Sequence, residues 1–269
     1  MEKKLEALRY INKLLQDQPD LAGQVEAIAC SFQGKGWTGG SNLHELRCCV
    51  YLLGGRPLRT VIDVGGHRGN YSLEVKKLYP DARLFIFEPS HQNSEILLST
   101  FSGDNKVKIF QCALSDKTET ATLYSDAEGS PLSSLVKRDL THHGLNFQIV
   151  NSVQTVRFDL LYTTVLSRTS QPLIIDLFKI DAEGHELQIL EGIGSAIHNI
   201  KCIQFEFGEG NIDSRTYYKD FFEFFNDKHW TIHRITPYGI QKLPVYRDSD
   251  NTFRYSNFIA LNNKIQAEF

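Results

Sequence analysis

Residues 60–70, T-V-I-D-V-G-G-H-R-G-N, limit what this chain can become more than any other stretch. An apolar run containing Asp63 enters a turn with Gly65, Gly66 and Gly69, and a helix-compatible segment follows over 71–79. Strand, glycine turn and helix in that order form the unit on which α/β folds hold a nucleotide-like cofactor. Glycine at 65 and 66 permits positive φ and leaves no Cβ to obstruct a ligand lying on the backbone, and Gly69 lets the helix start close to the strand. An acidic side chain usually ends the second strand of such a unit, where it takes ribose hydroxyls. The run R-L-F-I-F-E at 83–88 supplies Glu88.

The alternation continues from there. Strand 60–64 leads to helix 71–79, strand 83–87 to helix 91–100, and strand 107–112 follows, which implies parallel strands with helical crossovers. A fourth strand over 173–180 precedes a helix over 185–191, and a fifth spans 201–207. An aromatic-rich helix (217–225), a strand (231–236), a turn at 237–239 and a last strand (257–261) suit a mixed sheet whose last strand is antiparallel. Residues 119–156 read as an insertion, with strands near 120–124 and 148–156 around a polar stretch at 126–144. Ahead of residue 57 the chain is helical. Leu5, Leu8, Ile11, Leu14 and Leu15 recur at helical spacing. Further helices fall at 20–30 and 42–53, with a glycine-rich loop around Trp37 between them. The expected division is a helical cap over 1–56 and a cofactor domain over 57–269. The first helix is expected to cap that domain or to make a homodimer contact. The Trp37 loop lies over a site or is an ordinary linker.

Bulk properties remove several classes of function. A chain of 269 residues that is 41% hydrophobic can bury a sizeable core. With 29 basic and 32 acidic residues, net charge -3, nothing attracts nucleic acid or a membrane surface, and a small-molecule or glycan partner fits better. The five cysteines form an odd set without C-x-x-C, so neither a disulfide framework nor a zinc site is indicated. No long apolar run is present, and the expectation is a soluble cytoplasmic protein.

The turn itself argues about the ligand. Counting from Gly65, His67 and Asn70 stand where a pyrophosphate cradle needs glycines. Asp63 would repel a pyrophosphate and attract the ammonium of a methionine. A nicotinamide-dependent dehydrogenase on the same kind of sheet stays as the alternative, as does a non-catalytic scaffold that keeps the fold.

Four blocks then carry a resemblance. V-I-D-V-G-G-H-R-G-N-Y-S, F-E-P-S, A-L-S-D and K-I-D-A-E-G-H-E-L-Q-I-L-E-G, in that order, are similar to the FkbM family of S-adenosylmethionine-dependent methyltransferases over about residues 58–262. The resemblance implies a class I, Rossmann-like fold with a seven-stranded, mostly parallel sheet and an antiparallel last strand. It also implies O-methylation of a hydroxyl on a sugar, glycan or secondary metabolite. In the family the turn usually reads D-V-G-A-N-x-G, so Gly66 and His67 depart from it. Carried over by position, Asp63 and the backbone of Gly65, Gly66, His67 and Gly69 hold the amino-acid part of S-adenosylmethionine. Glu88 takes the ribose with Pro89 and Ser90 beside it, and Ala113, Leu114 and Asp116 border the adenine.

For the chemistry, a sugar hydroxyl is a weak acid, and a positioned base is worth a hundredfold or more, as an order of magnitude. Asp181, Glu183 and His185 gather at a strand end and helix start. His185 or Asp181 is expected to take the proton, with Glu183 orienting it or the substrate. The plainer reading is a helix cap, in which Asp181 or Glu183 bonds free amides, with Glu186 an exposed helix carboxylate. Lys179 is expected either to pair with Glu206 or Asp176 or to contact the substrate. A metal on Asp181, His185, Glu206 and Glu209 is weighed and not adopted. His142 and His143 read as loop residues, and the rings at 217–225 as core-facing.

Overall fold

The computed structural model describes residues 2–37, 40–167, 172–226 and 229–266. Its helices are α1 (Glu2–Asp17), α2 (Ala22–Phe32), α3 (Asn42–Leu52), α4 (Asn70–Leu78), α5 (His91–Thr100), α6 (Phe158–Leu161), α7 (Glu186–Ile193), α8 (Gly210–Asp213), α9 (Tyr218–Asn226) and α10 (Asn263–Gln266). The first six strands are β1 (Thr60–Val64), β2 (Arg83–Phe87), β3 (Val107–Phe110), β4 (Ala113–Leu114), β5 (Glu119–Ser125) and β6 (Ile149–Val156). The remainder are β7 (Ile175–Ile180), β8 (Ile200–Phe207), β9 (Trp230–Thr236), β10 (Gly239–Leu243) and β11 (Ser256–Asn262).

The main sheet has eight strands in the order β10-β9-β11-β8-β7-β1-β2-β3. From β3 to β8 every neighbour is parallel, and β11 enters antiparallel between β8 and β9. The turn at 237–239 therefore does not join the last two strands, as the sequence suggested; it folds β9 onto the extra edge strand β10. The final strand takes the inner place instead, buried between two partners. The insertion strands β5 and β6 form a second sheet with β4, in the order β4-β6-β5.

Alternation explains the layers. In β1, Val61 faces one apolar cluster with Leu84, Ile86 and Leu177, while Ile62 and Val64 face the other with Phe85, Phe87, Phe178 and Ile180. Both faces are covered, so β1 and β7 are buried at every position, as central parallel strands are. The second cluster also holds Phe205, on which Phe221 stacks at 5.1 Å, so α9 is core-facing as its spacing predicts. Of the helices before residue 57, α3 packs into the core through Leu46 and Cys49. Helix α1 buries no residue and leaves Leu5 and Leu8 exposed. The Trp37 loop reaches the body at Gly36, whose amide donates to the Tyr255 carbonyl at 2.7 Å; Gly39 of that loop lies outside the described residues.

Helix starts follow local chemistry. Ser41 and Ser90 accept from the amides of His44 and Asn93, capping α3 and α5. The start of α4 has no side-chain cap; Gly69 at φ 84 turns the chain into it. A Cβ on Gly69 would meet Leu97 and Phe101 of the neighbouring α5 segment, and one on Gly66 would lie 2.2 Å from Ile86 Cγ2. Positive φ occurs at Gly65, His67 and Gly69, and not at Gly66. The glycines at 66 and 69 thus serve the packing of the turn on its own protein.

Gly65 makes the tightest approach: a Cβ there would sit 1.8 Å from the carbonyl oxygen of Asp181, at φ +75. Gly54 has the same φ and nothing within 4 Å, so it isolates the conformational cost. Gly54→Ala should lose about 1 kcal/mol, the penalty of a left-handed alanine. Gly65→Ala should lose about 3 kcal/mol or more, since the clash with backbone adds to that strain. Urea unfolding of the two variants checks the difference.

Candidate active site

The carboxyl ends of β2, β1, β7 and β8 border a cleft of about 270 Å³, roofed by residues 130–135 of the insertion. Register decides which side chains meet there. Asp63 pairs across with Lys179, and Lys179 with Gln204, so these lie in a row on one face of the sheet. Two residues on, Asp181 and Glu206 point the same way and reach the cleft.

Lys179 is buried. Its Nζ donates to Asp181 Oδ2 at 3.1 Å, lies 3.6 Å from Asp63 Oδ1, and sits 5.1 Å over the Tyr71 ring. Burial alone would lower its pKa; Asp181 and Asp63 outweigh that and raise it, so it stays cationic. Neither partner is the one expected from sequence. Asp176 instead holds Lys201 and the amides of Arg59 and Thr60 at the opposite end of the sheet. Asp63 is fully buried, with Oδ2 accepting from Ser72 Oγ at 2.7 Å, and it does not line the cleft. The sequence placed it against a ligand ammonium; its place on the α4 face of β1 puts it underneath the turn instead.

Glu88 does line the cleft. Its Oε2 accepts from the His67 amide and its Oε1 from the Ser90 amide, both at 2.8 Å, which ties the end of β2 to the glycine turn. Burial pushes its pKa up and those amides pull it back. His67, at φ 46, donates its Nε2 proton to the Gly129 carbonyl at 3.0 Å and so joins the turn to the insertion. Gly65, Pro89, Ala113 and Leu114 line the cleft as well. Gly66, Gly69, Ser90 and Asp116 do not: Ser90 caps α5, and Asp116 accepts from Ser115 Oγ at 3.0 Å.

On the β7 side, Asp181, Glu183 and His185 all line the cleft. Glu183, at φ 53, forms an ion pair with the buried Arg138 of the insertion, and its carbonyl accepts from Ser134 Oγ at 2.8 Å. Burial and Asp181 push its carboxyl up to about 7, with Arg138 opposing. His185 bonds Ser115 Oγ through Nε2 at 3.0 Å, and burial pushes its pKa down to about 4, so it is neutral at pH 7. Glu186 is not exposed, contrary to expectation. It is buried and accepts from the amides of Ala182 and Gly184, at 2.9 and 3.0 Å. Capping in this turn is therefore its work, and Asp181 and Glu183 are left for the cleft. Glu209 points away, half exposed and 3.4 Å from His143; among the described residues no cluster suited to a metal ion forms.

Sequence reasoning left several residues of the site unassigned. Ser134 and Leu135, which line the cleft, and Arg138, which pairs with Glu183 without lining it, lie in a polar stretch without periodicity; Tyr255, also in the lining, precedes the last strand in an irregular segment. Glu206 has a signal in the sequence, an acid ending the strand next to 181, which suggests a partner for Lys179 or a metal ligand.

With β10 set aside, the order β3-β2-β1-β7-β8-β11-β9, a glycine turn after β1 and an acid after β2 define the class I methyltransferase fold. The model of the Methyltransferase FkbM domain matches residues 63–233, and the chain belongs to that family. Methyltransferase sdnD of Sordaria araneosa is 27% identical over 158 residues, 49% of this chain and 60% of that protein. Methyltransferase 1 of Beauveria bassiana is 26% identical over 150 residues, 49% of this chain and 57% of that protein. The match thus spans about three fifths of these relatives' length. Among solved structures, the O-methyltransferase TomG of Streptomyces achromogenes in complex with SAM aligns at TM-score 0.43 and 12% identity, over 81% of this chain and 79% of that one. An rRNA methylase from Streptococcus thermophilus aligns at 0.45 and 9%, over 83% and 97%. The fold assignment stands on the strand order and not on these likenesses. Among the described residues no helix is long and apolar enough to cross a membrane.

The charges in the cleft also bear on stability. Glu183 and Glu186, both pushed up to about 7 chiefly by burial, keep protons in the folded state that the unfolded chain releases above about pH 4.5. Their contribution is fully present below pH 4.5 and is lost as pH rises through about 7; His185, pushed down to about 4, works the opposite way between 4 and 6.5. The melting temperature should therefore fall from pH 5 to 7, and Glu186→Gln should flatten that slope in thermal scans at several pH values.

Proposed function

We propose that the chain is an S-adenosylmethionine-dependent O-methyltransferase acting on a hydroxyl of a sugar, glycan or secondary metabolite. One observation carries the cofactor: the cleft is lined by four carboxylates, Glu88, Asp181, Glu183 and Glu206, and by no lysine or arginine among the described residues. Such a wall attracts a ligand bearing ammonium and sulfonium charges and repels the pyrophosphate of a dinucleotide, which argues against the dehydrogenase reading.

The residues fit the group in detail. Glu88 keeps acceptor capacity beyond its two amide bonds, as ribose hydroxyls require. Phe87, Ala113, Leu114 and Ile189 give the apolar walls an adenine needs. Gly65 and His67 present the turn to the amino-acid part. When bound, the cofactor supplies an electrophilic methyl whose bond to sulfur breaks with its electrons left on sulfur as the acceptor oxygen attacks. Asp181, held by Lys179 at one oxygen, takes the acceptor's proton. His185 is the weaker choice, because an imidazole pushed down to about 4 holds a proton poorly. Glu183, fixed by Arg138, orients the acceptor from the other side. The acceptor enters beneath the insertion, and α1, with its apolar stripe uncovered, is assigned to a contact between two copies.

S-adenosylhomocysteine should raise the melting temperature by several degrees at saturating concentration and NAD should not, because only a ligand of the folded state stabilises it. Glu88→Ala should abolish that shift. A rise with NAD and none with S-adenosylhomocysteine would replace this reading with the dehydrogenase.

A further inference from the structure

Glu206 differs from every other carboxylate around the cleft. Glu88 is held by two amides, Glu186 by the amides of its turn, Asp181 by Lys179 and Glu183 by Arg138. The Glu206 carboxylate has neither a hydrogen bond nor an ion pair among the described residues, although it lines the cleft. It stands on β8, two residues beyond Gln204, and Gln204 pairs with Lys179, so it sits next to Asp181 on the same face. Strand order fixes the sequence of groups along the cleft: Glu88 on β2, Gly65 after β1, Asp181 after β7, Glu206 on β8. A ligand anchored by its ribose at Glu88 extends along the strand ends toward Glu206.

We infer that Glu206 reads the charge on the ligand's sulfur, so that the cleft prefers the sulfonium of S-adenosylmethionine to the uncharged thioether of the demethylated product. This rests on the cofactor reading above. The groups facing Glu206 are Lys179 and Asp181 of the β7 segment, Glu183 and Glu186 of the turn into α7, and Tyr255 ahead of β11. Acids outnumber the single lysine among them. Burial first, then Asp181, Glu183 and Glu186, push the Glu206 carboxyl well above its ordinary range, against Lys179. A cation in the cleft relieves that repulsion and favours the ionised carboxylate; a neutral ligand does not. Once the sulfur is uncharged the attraction is gone, which favours release of the product.

Calorimetric titration of the full chain with S-adenosylmethionine and with S-adenosylhomocysteine tests this. The charged ligand should bind about tenfold more tightly at pH 7, the scale of one Coulomb interaction at a partly wet site. The ratio should narrow as the pH is lowered below 7 and the carboxylate takes up its proton. In Glu206→Gln the ratio should fall to within about threefold of one and lose its pH dependence, through weaker binding of the charged ligand alone. Equal affinities in the unaltered protein, or a preference that survives both low pH and Glu206→Gln, would overturn the inference. Should the variant not fold, the pH series on the unaltered protein decides by itself, a constant ratio being the negative result. Binding of neither ligand would instead remove the cofactor reading, and this inference with it.

Discussion

The turns after β1 and β7 are pressed together backbone to backbone, and the site depends on that contact. The Asp181 amide donates to the Val64 carbonyl at 3.1 Å, and the Asp181 carbonyl occupies the space where any side chain at 65 would begin. Parallel pairing of β1 with β7 sets the distance, and only glycine satisfies both it and the positive φ. The same pairing puts Lys179 opposite Asp63, two residues before Asp181. One buried cation thus joins the floor of the glycine turn to the carboxylate assigned to proton transfer. A buried ion pair rarely adds much net stability, because both charges lose their water. Its value here is geometric: Asp181 is held by one oxygen from a rigid strand, which leaves the other for chemistry.

The site is also where the protein stores unfavourable features. Two non-glycine residues in the cleft wall, His67 and Glu183, adopt positive φ, a conformation that costs on the order of 1 kcal/mol or more. Each is over-determined by its neighbours. His67 is fixed by its amide to Glu88 and its ring to Gly129; Glu183 is fixed by Arg138, by Ser134 and by Gly210, which packs against its backbone. Around them, carboxylates outnumber cations in a poorly hydrated space, and several carboxyls are pushed up in consequence. Strain and like charge at one place are costly in the empty protein, and a cationic ligand relieves the second of them. Consistency elsewhere in the core carries that cost.

What the sequence made legible follows from how locally each feature is determined. Helix α5 could be bounded at 91–100 because Ser90 announces it and the apolar spacing sustains it. Glu88 could be assigned because a strand end is visible in the sequence and the switch of direction follows. Residues whose roles depend on cross-strand register could not be placed. Asp63 was assigned to the ligand, yet which face it points to depends on β7 and α4. Glu186 was taken for a surface residue, since nothing local says that the turn before it folds back onto its carboxylate. The path of the last strand was equally hidden: β9 and β11 read alike, and the choice of inner or outer place is a matter of tertiary competition.

The insertion obeys a different physics from the strand ends, and this separates what family membership says from what it does not. Asp181, Glu206 and Glu88 are placed by a ladder of backbone hydrogen bonds, so a residue type at a given register position keeps its role wherever the sheet is kept. The roof at 130–135 is tied to the strand ends by the His67 to Gly129 bond, the Ser134 to Glu183 bond and the Arg138 ion pair. Between those ties its backbone is irregular, so length and composition can change there at little cost to the fold. Two of the ties end on Glu183, in the K-I-D-A-E-G-H-E block itself. On the function proposed above, the strand ends would fix the reaction, while the shape of the acceptor space would be set by a segment free to diverge around one anchored glutamate.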